Sequence, residues 1–389
     1  MSEQTEKFDA WLREAGPAAL VIREYLMPVE GHDGVVFPAT FAASEDRTFR
    51  GGYNIDREGF PEGENVCLID SAGSQANRIE PLFMKKEYAG LVPQIVVKAG
   101  ERKVNLLEAG HRAGDAIVRC SALQKELHDA FRALLGGNAE PLAKIAPTSL
   151  VFGAWDSRKT QAKAPRLIAS TIRAFDVRRL TRSAQYIPAT DYVADGLLEE
   201  PGDLKDAEGK VKGKHPFAQR GFVHVPASGS HGGIVATGGI RRDATLHLAA
   251  LRMLAASAGE TESLALRRYI LGLALTAFTY PPSGYLRQGC NLVLDPDNPR
   301  TFEAVFGDGH REDAGVTHAE ALAYTREAAK AFGVDPGREI VMNKDGSPDR
   351  EVAFDTERAK KDLADGASGG KKGARSGGKD STAAGAKPE

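Results

Sequence analysis

Hydrophobic residues at Phe8, Trp11 and Leu12 recur at i, i+3 and i+4, which predicts a helix over residues 4–15, and the apolar run 18–26, rich in β-branched side chains, predicts a strand. Residues 71–83 (SAGSQANRIEPLF) predict a second helix, with Ser71 at the N-cap and Ala72, Ala76 and Ile79 on one side. Two short apolar runs, 95–97 and 104–107, precede a long helical period over 113–135 that Gly136 and Gly137 can end. The runs 148–155 (TSLVFGAW) and 166–176 (RLIASTIRAFD), joined by the basic loop DSRKTQAKAP, predict an antiparallel pair of strands. Beyond them, residues 222–226 predict a short strand, 243–278 two consecutive helices around Gly259, 285–294 a strand and 318–332 a last helix.

Between these elements lie segments with too few apolar residues to build a core. Residues 28–64 turn to Gly, Pro, Asp and Arg around short apolar patches, an insertion of a length that is usually functional or mobile. Residues 181–217 carry Tyr186, Ile187 and Tyr192 as their main large side chains and predict a projecting arm. SGSHGGIVATGG at 228–239 predicts a flexible glycine-rich loop, and the Gly, Ser, Ala and Lys tail from about residue 366 predicts disorder. The chain shows no internal repeat. Its expected organisation is a core assembled from discontinuous segments of 1–335, with insertions at 28–64, 84–147 and 181–217, an extension at 336–365 and a tail at 366–389.

Composition narrows the function classes. Apolar residues at 42% and charged residues at 27% are those of an ordinary globular core, which excludes a disordered protein. A formal net charge of -2 excludes a uniformly basic nucleic-acid binder but leaves local stripes open. Cys67, Cys120 and Cys290 form no C-x-x-C, which argues against a zinc ribbon or redox pair and for three small buried residues. The N-terminus is polar and acidic, and no run of about 18 apolar residues occurs, so a cytoplasmic protein without a membrane span is expected.

The strongest charge signal is residues 156–182, where Arg158, Lys159, Lys163, Arg166, Arg173, Arg178, Arg179 and Arg182 face only Asp156 and Asp176. Such a strip suits a phosphate backbone, whereas an isolated charge run is more often a solvated surface. Ser71, Ser74, Gln75, Asn77 and Arg78 gather short donors and a guanidinium at a helix N-terminus, where anions bind. The loop 229–239 followed by Arg241 and Arg242 offers a weaker phosphate site, since neither G-x-G-x-x-G nor G-x-x-x-x-G-K-[ST] is present. Asp33, Asp46 and Asp56 could hold a divalent ion for RNA cleavage, although loop solvation explains them better. G-x-S-x-G around Ser368 and S-x-x-K over 368–371 fall in the low-complexity tail and read as chance, and the scattered histidines, His224 and His231 being closest, show no metal spacing. No catalytic residue, metal or cofactor is expected.

Four blocks in order, GVVFPATFA, CLIDSAGSQANRIEPLF, AGHRAGDAIVRCSALQ and APTSLVFGAWDSRKTQAKAPRLIASTIRAFDVRRLTRSAQYIP, give the chain a resemblance over residues 18–335. It resembles the Cas-seven backbone subunit of type I-G (formerly I-U) CRISPR systems, of the RAMP superfamily. The resemblance implies an α+β, RNA-recognition-like (ferredoxin-like) β-α-β-β-α-β core with a finger at 28–64 and after residue 83, and a thumb at 181–217. It implies a non-enzymatic Cascade subunit that multimerises along CRISPR guide RNA and presents it to target DNA. The implied partners are further copies of itself, a Cas-five/Cas-six-like subunit, the large subunit and a recruited helicase-nuclease. A metal-dependent RAMP RNA endonuclease and a nucleotide-binding enzyme are the alternatives. The chain lacks the RNP-type aromatic signature, so base stacking on the sheet is not expected, and PPSGYLRQGC offers only Gly284 and Gly289 with Arg287 where RAMP proteins carry a glycine-rich loop.

Overall fold

A computed structural model of the chain describes residues 3–46, 48–199, 216–281, 283–342 and 348–373. Helix α1 (Glu3–Leu12) buries Phe8, Trp11 and Leu12, and strand β1 (Ala19–Pro28) follows, both where the periodicity places them. Next come β2 (Ile55–Asp56), β3 (Val66–Asp70), α2 (Ala72–Ile79, capped by Ser71), β4 (Ile95–Ala99), β5 (Arg102–Asn105) and α3 (Gln124–Leu135). The middle of the chain holds α4 (Thr148–Phe152), β6 (Ala154–Trp155), β7 (Lys163–Ala164), β8 (Ile168–Phe175), β9 (Val177–Tyr186), β10 (Val225–Ala236) and β11 (Ile240–His247). After α5 (Glu260–Thr279) come β12 (Tyr285–Arg287), β13 (Cys290–Leu294), β14 (Thr301–Val305), β15 (Arg311–Asp313), α6 (His318–Ala331), β16 (Arg350–Ala353) and α7 (Thr356–Gly373).

The fold is α+β. A nine-stranded sheet runs β12-β13-β1-β11-β8-β3-β2, with β14 beside β1 and β15 beside β14, and its pairs are antiparallel. Taking β1, α2, β8, β11, α5 and β14 in order gives β-α-β-β-α-β, and across the sheet the strands lie as fourth, first, third, second: the ferredoxin-like arrangement. Alternation along each strand separates two faces. Leu20 and Ile22 of β1, Ala244 and Leu246 of β11 and Ile168 of β8 face the helices in the larger core. Val21, Arg23 and Tyr25, with Asp243 and Arg241 opposite them, lie half-buried or exposed on the other face. A smaller core forms where Ile69, Ile172, Ala174 and Ile240 meet Ile234, Cys290 and Leu292. All three cysteines are free and buried, and burial pushes the Cys290 thiol up to about 11.

Several expectations are corrected. Residues 148–152 are a helix, not a strand: every residue from Thr148 to Phe152 is buried, and a short run apolar on all sides carries no period that separates the two states. The pair expected between 148–155 and 166–176 is therefore replaced by β8 with β11, while Ala154 and Trp155 pair with Ala164 and Lys163. The first five residues of the helices expected over 243–278 belong to β11, whose inward row reads Ile240, Arg242, Ala244, Leu246, so that a buried arginine hides the alternation; a short helix, Leu248–Arg252, and α5 then lie on either side of Gly259. The helical period over 113–135 breaks into the short helix Ala116–Arg119 and α3, and the strand expected over 285–294 is the hairpin β12-β13.

The glycine-rich loop expected at 228–239 is largely strand β10, paired with β9 in a two-stranded ribbon. Gly233 has φ +95°, and a Cβ there would lie 2.4 Å from Val35 Cγ1, so close approach to the 28–64 insertion demands glycine. The arm expected over 181–217 is thus a ribbon rooted at Val177 and returning through Ala236; its residues 200–215 lie outside the described residues. The extension expected at 336–365 contributes β16, which pairs in parallel with β4. Of the tail expected at 366–389, residues up to Gly373 continue α7 and 374–389 lie outside the described residues.

From Tyr269 onward α5 is buried on every side, and α6 packs across it at Gly272. A Cβ on Gly272 would stand 2.8 Å from Thr325 Cα. Gly272→Ala is expected to lower stability by about 1–3 kcal/mol in urea denaturation, overpacking outweighing the helix propensity of alanine. An unchanged midpoint would show that α5 and α6 are not packed this closely.

Candidate nucleic-acid interface

Beside α2, a groove of about 690 Å³ opens between the 110–119 segment and the β6-β7 hairpin. Its walls carry His111, Arg112, Arg119, Trp155, Arg158, Lys163 and Arg166, and among the described residues no carboxylate lines it, although Arg119 donates to Asp362 (2.8 Å). The hairpin is short, and its 156–162 loop is stiffened from within. Asp156 accepts from Thr160 N (2.9 Å), Thr160 Oγ1 (2.7 Å) and Lys159 N (3.3 Å). Burial works to raise the Asp156 pKa, but these hydrogen bonds outweigh it and hold the carboxyl below its ordinary value.

Arg112 forms the floor of the groove. Its Nε sits 2.6 Å from Glu80 Oε2, Nη1 donates to the Gly153 carbonyl (3.3 Å), Nη2 donates to Asn77 Oδ1 (3.1 Å), and the guanidinium lies 5.4 Å over the Phe152 ring. It thereby ties α2, the end of α4 and the root of the β6-β7 hairpin together. Its backbone is at φ +54°, a left-handed conformation that persists in a β-carbon-bearing residue only when surrounding contacts hold it. Glu80 is 1% exposed; burial pushes its pKa up to about 7, and Arg112 offsets this only in part.

The cluster expected at the N-terminus of α2 has an internal anion. Ser74 Oγ (2.8 Å), Gln75 Nε2 (2.6 Å) and Arg78 Nε (3.2 Å) all donate to the buried Asp70 carboxylate, which also accepts from Arg287 Nη2 (2.8 Å). Ser71 Oγ accepts from Ser74 N (3.2 Å) as an ordinary cap, and Asn77 is engaged by Arg112. The side-chain donors expected to take a phosphate are accordingly turned to Asp70, and the outer sides of Asn77 and Arg78 are what the cluster adds to the surface. Neither Asp70 nor Glu80 entered the candidate set, because a carboxylate beside a basic helix start reads as solvated until its burial is known.

The basic strip 156–182 divides. Arg158, Lys159, Lys163 and Arg166 lie at one end of β8, and Arg166 reaches the first turn of α2 beside Gly73. Arg178, Arg179 and Arg182 lie exposed on β9 past the other end, and eight residues of strand separate the groups by about 26 Å. Arg179 contacts His231 (3.3 Å) and Arg182 lies 5.8 Å over Phe37, so this second group faces the 28–64 insertion. A second groove, of about 480 Å³, runs from Asn77 and Arg78 past Lys85 to Tyr280 and Tyr285, and α2 joins it to the first.

Arg241 and Arg242 do not form a phosphate site with a glycine loop. Arg242 is 3% exposed with Nε 2.5 Å from Glu24 Oε2, and Arg241 donates to both Asp243 oxygens at 3.0 Å while lying over Phe175. Asp33, Asp46 and Asp56 form no metal-sized group. Among the described residues the side chains close enough to share an ion are His32, Asp295 and Asp297, with His32 Nε2 3.6 and 3.7 Å from the two carboxylates. Asp295 is already satisfied by Asn298 Nδ2 (2.8 Å) and Asp297 N (3.0 Å). Ser368 stands well inside α7, away from any strand-to-helix turn. No described helix is long and apolar enough to cross a membrane.

No curated protein matches the chain. Residues 20–179, which carry the groove, α2 and the first strip cations, match the family model for CRISPR-associated protein GSU0053, a similarity that supports a CRISPR-associated role.

Proposed function

We propose that the protein is a non-enzymatic backbone subunit of a type I-G Cascade complex: a Cas-seven-like RAMP protein that binds CRISPR guide RNA along its phosphates, one copy beside the next. The observation that carries this reading is the groove that exposes Arg158, Lys163 and Arg166 with no described carboxylate among its lining residues, Arg112 and Arg119 behind them being paired with Glu80 and Asp362. Cations at that density give salt-sensitive, sequence-independent affinity for a nucleic-acid strand, and they leave base edges free to pair with target DNA. The second cationic group on the β9-β10 ribbon, about 26 Å away, suits contact with another stretch of the strand or with the copy next to it. Companion subunits of the Cas-five/Cas-six-like and large types, and a recruited helicase-nuclease, complete the proposed assembly, which is cytoplasmic.

The test is co-purification with guide RNA followed by extraction and sequencing of the bound nucleic acid, with affinity measured across a salt series in the presence of magnesium. Intact CRISPR RNA in a multimer, with log affinity falling linearly in log salt, is the expected result. Shortened RNA that accumulates only with magnesium would overturn the non-enzymatic reading, and assemblies free of RNA would overturn the coat reading.

A further inference from the structure

The chain has two tryptophans, and the fold treats them oppositely: Trp11 is 7% exposed in the main core, whereas Trp155 is 50% exposed at the groove. An indole left half in water forgoes much of its burial energy, so the packing of the domain does not account for it. Trp155 is held firmly all the same. It pairs with Lys163 across the β6-β7 ladder, and the loop beyond it is closed on Asp156, so the ring sits on a prepared support rather than a swinging loop. Lys163 Nζ lies 4.5 Å over the ring. One ammonium covers one side of an indole, and Trp155 also lines the groove, among Arg158, Arg166 and Arg112.

We propose that Trp155 is a stacking platform for one unpaired nucleobase, with the flanking phosphates held by Lys163, Arg158 and Arg166. The ligand class follows from the combination of charges. A bare aromatic ring accepts many partners, but a ring among cations and no lining carboxylate selects a flat π face attached to an anion, which is a nucleotide in a single strand. Every base has such a face, so the contact adds affinity without reading sequence. It stands off the main sheet, on a hairpin, and so needs none of the aromatic positions of an ordinary RNA-recognition sheet. The inference rests on the RNA-binding reading above and adds to it a base contact and the residue that makes it.

Because Trp11 is buried away from the ligand and emits as a constant background, the change in steady-state tryptophan emission on binding reports Trp155. The full-length protein is titrated with a single-stranded RNA oligonucleotide labelled at one end, and label anisotropy and tryptophan emission are read in the same cuvette. Emission is expected to fall along the anisotropy curve; Trp155→Ala should weaken binding on the order of tenfold and Trp155→Phe only a few-fold. An oligonucleotide with abasic sugars throughout should bind wild type and Trp155→Ala alike. The half-exposed site makes the variants tolerable to the fold, and a thermal melt verifies this. Binding by anisotropy with unchanged emission and unchanged Trp155→Ala affinity would overturn the platform and leave the RNA reading intact; no anisotropy change in wild type would remove both.

Discussion

Replacing Arg158, Lys163 and Arg166 together with alanine is expected to weaken single-stranded RNA binding by about two orders of magnitude at ~0.1 M salt. If each cation neutralises one phosphate of a single strand, the three contribute about 0.7 each, or about 2 together, to the slope of log affinity against log salt. Loss of that slope is worth about a hundredfold at a tenth molar and nothing near one molar, so the variant and wild-type lines should converge at high salt. The matching triple at Arg178, Arg179 and Arg182 removes the same formal charge from the same segment of sequence. With a short oligonucleotide that cannot span β8, only the groove triple should matter, because the two groups lie about 26 Å apart. Equal losses from both triples on that oligonucleotide would show a single continuous strip and sink the division into two sites.

How much of this could be read from the chain depended on whether a residue's partner lay nearby in sequence. The strip and the α2 cluster were visible as charge and capping patterns, and β1, α1, α2, β8 and α6 followed from apolar period alone. What the pattern could not carry was long-range pairing. Arg242 looked like a counter-charge for a ligand because Glu24, which neutralises it 218 positions away, is invisible in one dimension. Ser74, Gln75 and Arg78 looked free because nothing in the sequence says that Asp70 is buried among them. Thr148–Phe152 reads as a strand because uniform burial erases the periodicity that distinguishes helix from strand. The strip looked continuous because charge along a sequence ignores the length of an intervening strand. Trp155 was visible, but only as part of a presumed strand; its exposure is a tertiary fact.

The largest stability effect is expected at the groove floor. Arg112→Met removes the cation beside Glu80, both side chains being at most 3% exposed, and strands a carboxylate where burial already favours its neutral form. Breaking such a pair from one side typically costs about 3–5 kcal/mol, more than the pair itself contributes. The pH dependence follows from linkage. In wild type the folded-state pKa of Glu80, about 7, stands above its ordinary 4.5, so the folded state holds the proton more tightly than the unfolded chain. The stability this contributes is fully present below 4.5 and is lost as pH rises through about 7. Without Arg112 the folded pKa moves higher still, so Arg112→Met should go on losing stability over a window extending further up, with a steeper slope than wild type above about pH 7. The double variant Glu80→Gln with Arg112→Met leaves no charge to desolvate and should recover most of the loss, with that slope gone. Urea denaturation of the three proteins across that pH range measures both effects. A single variant within about 1 kcal/mol of wild type, with no steeper pH slope, would mean that Glu80 finds water when Arg112 is gone, and the groove floor would then be a soft surface rather than the fixed joint between α2 and the β6-β7 hairpin.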